Sequence, residues 1–321
     1  MRQLKKCAGV FDRTLKLRKK PADSRYNFPH VFKAFISWKE IFHVRLLHPH
    51  HGILGSYKKV RVTDLQALKG QRPWAMLTAY DYATASAFAA AGIECLLVGD
   101  SAANVVYGYD STTRISFDEL AVLAAAVVRG AGNALVVVDL PFGTYEASDE
   151  QAVRSATEML HRTGGHVIKI EGGVRMASRI KALKEAGLAV CAHVGFTPQS
   201  VSGLGGFKVQ GRGAAADAVR TDVAAVVAAG ADMVVFEMVP AELAAEITAT
   251  CPIPTIGIGA GAETDAQVLV WHDMAGMFPG ARIPKFVEVF AEVGQQLRDA
   301  AANYKEAVAN KTFPTADHAF S

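Results

Sequence analysis

The sequence predicts an α/β fold, a single (β/α)8 barrel, and two observations support this. Eight short apolar runs recur over about 240 residues from Val60 onward, and most precede an alanine-rich stretch with helical character. The runs are nearly continuous rather than alternating, as is typical of parallel strands covered on both faces. Eight strand-and-helix steps over this length fit a closed barrel better than an open doubly wound sheet.

The predicted elements follow one another along the chain. The apolar runs predict eight strands, at residues 74–79, 95–99, 135–139, 167–171, 189–195, 233–238, 255–259 and 268–271. One helix is expected to open at Asp81, another to lie around residues 116–130, and a long closing helix to cover roughly 284–309. Thr197 before Pro198 predicts a further helix start, with threonine as the N-cap and proline at the first helical position.

Residues 1–56 differ in character and are predicted to form a basic extension, disordered or outside the fold, before a barrel domain at 57–321. Residues 1–59 hold 14 of the 34 Lys/Arg and 3 of the 31 Asp/Glu, so their net charge is +11 and that of the remainder is −8. The extension fits a targeting peptide, a translated stretch upstream of the true start, or a disordered arm. Its HPHH run (48–51) lacks companion metal ligands, so a loop is the simpler interpretation.

Charge, hydropathy and cysteine spacing exclude several functional classes. The acidic body argues against nucleic acid as the main partner, because phosphate binding needs a basic face on the folded domain. No apolar run approaches the roughly 18 residues of a membrane span, so no membrane partner is expected. The 4 cysteines form no CxxC pair, which favours free thiols in a reducing compartment. A cytoplasmic location is expected, or a mitochondrial one if the extension is a transit peptide.

Polar residues end five consecutive predicted strands, where the loops of a barrel build its active site. They are Asp100, Ser101, Asp139, Lys169, Glu171, His193 and Glu237. Lys169 and Glu171 are two residues apart on a strand, so their side chains share one face. Three carboxylates from adjacent strands, Asp100, Asp139 and Glu171, suit a hard cation such as Mg²⁺.

Each of these residues has a simpler interpretation when it is taken alone. Asp100 is equally well explained as a helix N-cap. His193 fits a hydrogen-bonded core residue, and Lys169 with Glu171 fits a structural ion pair. Five consecutive strands with polar ends would, however, require five independent coincidences. The set as a whole therefore favours an active site over separate structural roles.

The same residues lie in motifs that resemble the ketopantoate hydroxymethyltransferase family. The matching stretches are TAYDY (78–82), LLVGDS (96–101), DLPF (139–142), KIEGG (169–173), GFTPQSV (195–201), GGFKVQGRG (205–213), EMVP (237–240) and IGIGAG (256–261). The resemblance runs in one order from about Val60 to Phe320 and leaves out residues 1–56. It implies a barrel of the phosphoenolpyruvate/pyruvate type that commonly assembles as a homodecamer.

The resemblance implies an enzyme, a 3-methyl-2-oxobutanoate hydroxymethyltransferase. Such an enzyme transfers a hydroxymethyl group from its co-substrate 5,10-methylenetetrahydrofolate to 3-methyl-2-oxobutanoate, through a Mg²⁺-stabilised enolate. The product, ketopantoate, leads to pantothenate and coenzyme A. The nearest alternative is another Mg²⁺-dependent 2-keto acid lyase or aldolase of the same barrel type. A non-catalytic assembly or binding barrel is disfavoured, because every matched position retains a suitable side chain.

The resemblance also assigns a role to each matched position. Glu237 falls on the proton acceptor, and His193 on a supporting site residue. The substrate-binding positions are Asp100, Ser101, Asp139 and Lys169, and the metal-associated positions are Asp100, Asp139 and Glu171.

Overall fold

A closed parallel barrel is the central element of the computed structural model, which describes residues 58–278 and 280–320. Each strand pairs with the next in sequence, and the eighth closes on the first. The strands are β1 Trp74–Thr78, β2 Cys95–Val98, β3 Leu135–Asp139, β4 Val167–Glu171, β5 Val190–Gly195, β6 Met233–Glu237, β7 Thr255–Ile258 and β8 Ala266–Leu269. The predicted (β/α)8 fold is confirmed. The predicted extension at residues 1–56 lies outside the described residues.

Helices of very different lengths precede the first strand, connect the strands and follow the last one. They are α1 Val62–Leu68, α2 Tyr82–Ala90, α3 Ala102–Val105, α4 Phe117–Gly130, α5 Asp149–Thr163, α6 Ala177–Glu185, α7 Val201–Leu204, α8 Ala216–Ala228, α9 Ala241–Thr250, α10 Trp271–Met274 and α11 Val293–Ala309. Asp81 caps α2 by accepting from two backbone N–H groups, and Ser116 forms a capping box with Glu119 at the start of α4. Both predicted helix starts are confirmed. Across the described ranges, no helix is long and apolar enough to cross a membrane.

Two predicted boundaries near the carboxyl end are wrong. The eighth strand occupies 266–269 rather than 268–271, because Ala266 pairs with Trp74 of β1 and the chain turns into α10 after Val270. The apolar run there therefore spans a strand end and a helix start. The closing helix begins at Val293 rather than near residue 284. The Val293 N–H donates to the carbonyl of Ala275, which ties the preceding segment to the end of α10 instead of to a helical turn.

The helix predicted to start after Thr197 is also different in the structure. A short 3₁₀ turn, Pro198–Ser200, follows, with proline at its first position, and α7 then adds four residues. The Thr197 side chain accepts no capping hydrogen bond. The segment is therefore an irregular loop that passes over the end of β5, which places Gln199 beside the polar strand ends.

Successive side chains of each strand point alternately to two apolar layers, one beneath the helices and one inside the barrel. This alternation determines which way the polar residues point. Ile168 and Ile170 of β4 pack in the layer beneath the helices, whereas Val167 packs inside the barrel. Side chains two apart on a strand share a face, so Lys169 and Glu171 point to the inside with Val167. Leu65 of α1 joins the interior layer at the opposite end.

The three described cysteines are free and buried, in agreement with the predicted free thiols. Cys95 and Cys191 belong to the interior layer of the barrel, and both are 0% exposed. Burial raises the pKa of the Cys191 thiol to about 12 and holds that of Cys95 well above its usual value.

Candidate active site

Asp100, Asp139 and Lys169 meet at the carboxyl ends of β2, β3 and β4. The Asp100 backbone N–H donates to Asp139 Oδ2 at 3.0 Å, and Lys169 Nζ donates to Asp139 Oδ1 at 2.8 Å. All three residues are at most 4% exposed. Lys169 Nζ lies 3.9 Å from Glu171 Oε1, so Asp139 is the closer ion-pair partner. The lysine thus supplies the counter-charge that the buried Asp139 carboxylate needs, and it also lies near Glu171.

The contacts continue through Glu171, His193 and Glu237 on β4, β5 and β6. His193 Nδ1 lies 3.2 Å from Glu171 Oε1, and its Nε2 lies 3.3 Å from Glu237 Oε2. Glu171 and His193 are 2% exposed, whereas the Glu237 side chain is 17% exposed. Among the carboxylates of the site, Glu237 is therefore the one that solvent or a ligand reaches most easily.

Burial and neighbouring charges set the protonation of the two groups that face Glu171. Burial disfavours charge on His193, but Glu171 outweighs it and raises the pKa of His193 to about 9. Burial likewise disfavours charge on Lys169, but Asp139, Glu171 and Asp100 raise its pKa above the usual value. Both groups are therefore cations at neutral pH. His193 and Lys169 in turn outweigh burial and lower the pKa of Glu171.

Asp100 carries the opposite shift and is not a helix cap. Ser101, rather than Asp100, is the N-cap residue of α3. Burial, together with the negative charges of Glu171 and Asp139, holds the pKa of Asp100 well above its usual range. The helix-cap interpretation of Asp100 is therefore wrong. Its surroundings disfavour the carboxylate anion, which a nearby cation would stabilise.

A hydroxyl pair and a buried amide complete the site. Ser101 Oγ lies 2.8 Å from Tyr80 Oη, which comes from the loop after β1. Gln199 Nε2 donates to Asp100 Oδ2 at 3.0 Å, and Tyr145 Oη donates to Gln199 Oε1. All seven predicted residues thus lie at the same end of the barrel. Tyr80, Tyr145 and Gln199 escaped prediction because they lie in loops beyond the strand ends; two of them stand in the quoted TAYDY and GFTPQSV stretches.

The carboxylates fit a hard cation only with help from substrate or water. Within residues 58–278 and 280–320, no group of three His, Cys, Asp or Glu side chains is arranged to hold a metal ion. Mg²⁺ usually takes one or two protein carboxylates and fills its octahedron with water and substrate oxygens. Asp100 and Asp139 suit that role, because a bound cation would offset the repulsion that Asp100 receives from the neighbouring negative charges. Glu171 is flanked by two cations, Lys169 and His193.

Gly195 fixes how closely the ends of β5 and β6 approach, and its replacement by alanine should disturb both stability and activity. Its φ is +91°, and an added Cβ would lie 2.4 Å from the carbonyl oxygen of Glu237. We expect Gly195→Ala to lower the free energy of unfolding by about 1–3 kcal/mol through backbone strain and overpacking. Activity should fall further than the folded fraction does, because the strain acts on the Glu237 backbone. Denaturant unfolding and a steady-state assay on the same samples measure the two effects.

The matched control is Gly203→Ala in α7, where an added Cβ meets nothing within 4 Å. That variant should be as stable as the wild type or slightly more stable. Equal behaviour of the two alanine variants would contradict the role of Gly195.

Comparison with known proteins places this geometry in a family. The family model described as ketopantoate hydroxymethyltransferase matches residues 59–316. A 3-methyl-2-oxobutanoate hydroxymethyltransferase of Corynebacterium jeikeium (strain K411) is 65% identical over 270 residues, which cover 84% of this chain and 95% of the relative. The enzyme of the same name from Corynebacterium diphtheriae is 64% identical over 264 residues, covering 82% of this chain and 99% of the relative.

Solved structures share the barrel at much lower identity. A phosphoenolpyruvate phosphomutase from Streptomyces platensis superimposes with a TM-score of 0.54 at 15% identity, over 81% of this chain and 92% of that one. This likeness shows that the two chains share the (β/α)8 barrel fold. The family match and the two relatives go further, and they show that the chain belongs to the ketopantoate hydroxymethyltransferase family.

Proposed function

We propose that the protein transfers a hydroxymethyl group from 5,10-methylenetetrahydrofolate to 3-methyl-2-oxobutanoate, giving ketopantoate for pantothenate and coenzyme A synthesis. Membership of the family and the names of the relatives support this reaction. The observation that carries the proposal is the partly exposed Glu237 carboxylate beside a buried, charged His193. A reaction that begins by removing a proton from carbon needs such a base next to a site that stabilises negative charge.

Asp100, Asp139 and Lys169 form the binding end of the proposed site. Asp100 and Asp139 would hold Mg²⁺, with Glu171 as the acidic group behind them. When bound, Mg²⁺ polarises the keto group of the substrate and makes its C3 hydrogen more acidic. Lys169, a buried cation, attracts the substrate carboxylate and the negative charge that develops on the keto oxygen. Ser101, held by Tyr80, supplies a hydroxyl for hydrogen bonding to the substrate.

Glu237 is the proposed general base. Its carboxylate accepts the proton from C3, and its Oε2 lies 3.3 Å from Nε2 of the cationic His193. The deprotonated C3 then forms a bond to the methylene carbon of the folate. Both bonds from that carbon to the folate nitrogens N5 and N10 break, and a water oxygen bonds to it as the hydroxyl group of the product. The two nitrogens take up two protons, which balance the one lost from C3 and the one lost from water. Tetrahydrofolate leaves as the second product.

The proposed partners are these small molecules and further copies of the same chain. Large apolar side chains remain exposed near the carboxyl end, which supports an oligomer, proposed as the homodecamer that the resemblance implies. They include Ile283, Phe290, Leu297, Tyr304 and Val308. A cytoplasmic location is proposed from the bacterial origin of the relatives. We also propose that residues 1–56 form an extension to the catalytic barrel at 57–321.

An isotope assay tests the proposed reaction. Purified protein is incubated with Mg²⁺, 3-methyl-2-oxobutanoate and 5,10-methylenetetrahydrofolate carrying ¹³C in the methylene group, and products are identified by mass spectrometry. We expect labelled ketopantoate, and its formation should stop with EDTA and resume with Mg²⁺. Consumption of the keto acid without folate would instead support the lyase or aldolase alternative. No reaction with either combination would contradict both.

A further inference from the structure

Gln199 connects two carboxylates of the site that come from different strands. Its side-chain Nε2 donates to Asp100 Oδ2 at 3.0 Å and to the carbonyl oxygen of Leu140 at 3.0 Å. Its backbone N–H donates to Glu171 Oε2 at 3.0 Å. Gln199 is 6% exposed, and Asp100 and Glu171 are 4% and 2% exposed. One loop residue therefore fixes an oxygen of a carboxylate on each side of Asp139.

Tyr145 determines which way the Gln199 amide points. The Tyr145 hydroxyl accepts from the Glu171 backbone N–H at 3.1 Å, so its own hydrogen is free to go to the Gln199 side chain. That hydrogen needs an acceptor, which only the amide oxygen provides. The amide nitrogen must then face Asp100 and Leu140, and both of its hydrogens find acceptors. The network is fully satisfied in this orientation and in no flipped one, because a flip would set the amide oxygen against Asp100.

We propose that Gln199, oriented by Tyr145, is a positioning residue that holds the Asp100 carboxylate ready for Mg²⁺ and the keto acid. It engages Oδ2 of Asp100 with a neutral donor, which fixes the rotamer and leaves Oδ1 to face the ligand. Among the described residues, no protein hydrogen bond to Oδ1 competes with that role. A neutral amide suits the position, since a further positive group would reduce the attraction of Asp100 for a cation. The inference rests on the proposed function, because it takes Asp100 as a ligand of Mg²⁺.

Gln199→Glu tests the proposal with almost no change in shape. The new carboxylate would place an oxygen about 3 Å from Asp100 Oδ2, and the repulsion would turn Asp100 away or protonate one of the pair. We expect Mg²⁺ to bind about 10- to 100-fold more weakly, the usual loss when a group that orients a metal ligand is changed. The measurement is calorimetric titration with Mg²⁺ at saturating 3-methyl-2-oxobutanoate and without folate, so that no turnover is needed.

Gln66→Glu is the matched control, because the Gln66 amide also donates to a partly buried acceptor, the carbonyl oxygen of Asp232, at 3.1 Å. Gln66 lies on α1, at the opposite end of the barrel. This control should bind Mg²⁺ like the wild type. Lowered thermal stability of Gln199→Glu with wild-type Mg²⁺ affinity would show a merely structural role and overturn the proposal.

Tyr145→Phe provides a second, milder variant that decides the matter if Gln199→Glu does not fold. It removes only the hydroxyl that orients the amide, so Mg²⁺ affinity should fall by about 2- to 10-fold, the equivalent of one hydrogen bond. Unchanged affinity in this variant would refute the orienting role of Tyr145 and, without a folded Gln199→Glu, the proposal. The wild-type isotope assay separates the two ideas. If the wild type turns over and the variants bind Mg²⁺ normally, only the positioning role is contradicted. If the variants bind Mg²⁺ more weakly but the wild type shows no turnover, only the proposed reaction is contradicted.

Discussion

Exchange of the C3 hydrogen of 3-methyl-2-oxobutanoate with solvent deuterium should slow by about 10²- to 10⁴-fold when Glu237 is replaced by glutamine. The amide keeps the shape of the side chain but cannot accept the proton. Keto acid affinity should change little, because Glu237 lies at the accessible end of the contact chain, one His193 ring away from Glu171. Proton NMR in D₂O with Mg²⁺ and no folate follows this step alone.

Glu242→Gln provides the control for Glu237→Gln, since Glu242 is an exposed glutamate at the start of α9. It removes the same charge five residues away and should leave the exchange rate unchanged. Rapid exchange in Glu237→Gln would eliminate Glu237 as the base.

The free energy of unfolding should fall by about 3–5 kcal/mol when Lys169 is replaced by methionine, the loss typical of breaking a buried ion pair from one side. The methionine side chain fills much of the volume but leaves Asp139 without its 2.8 Å partner. Glu171 retains His193, so the unpaired charge falls mainly on Asp139, beside the Asp100 carboxyl. Denaturant unfolding without Mg²⁺ measures the loss. Added Mg²⁺ should restore part of it, because a cation would again neutralise these carboxylates.

Lys181→Met is the control for Lys169→Met, because Lys181 pairs with Glu185 on the surface and both side chains are about 70% exposed. Exposed pairs contribute about 0–1 kcal/mol, so this variant should unfold almost like the wild type and show no added protection by Mg²⁺. Similar losses in both lysine variants would mean that Lys169 contributes no special compensation to the buried carboxylates.

The fold could be predicted because continuous hydrophobic runs indicate buried parallel strands, and seven of the eight runs locate their strands to within one residue at each end. The eighth run is displaced from its strand because its apolar residues continue into α10, whereas the strand itself starts at Ala266 and Gln267, which do not form an apolar run. The closing helix was predicted too long for a related reason. Helical composition does not reveal that the backbone before Val293 is bonded to α10.

The part of the site that lies at the strand ends could be predicted from the sequence. Parallel strands bring their carboxyl ends together, so Asp100, Asp139 and Glu171 had to meet once the barrel was assigned. Gln199 and Tyr145 could not be found in this way, because their approach depends on the paths of two loops. The paths of these loops, including the unpredicted 3₁₀ turn over β5, follow from tertiary packing. No local sequence pattern encodes that packing.

The two thiols in the barrel interior can report how often the barrel opens. Cys95 and Cys191 are inaccessible, and their raised pKa values leave almost no thiolate, so the closed state cannot react with an alkylating reagent. Each modification must therefore wait for neighbouring strands to separate. With a fast reagent, the rate at which these thiols are lost becomes the rate at which the barrel opens. Cys95 and Cys191 thus allow the rate of rare opening of the barrel to be measured, although neither residue takes part in the chemistry at the active site.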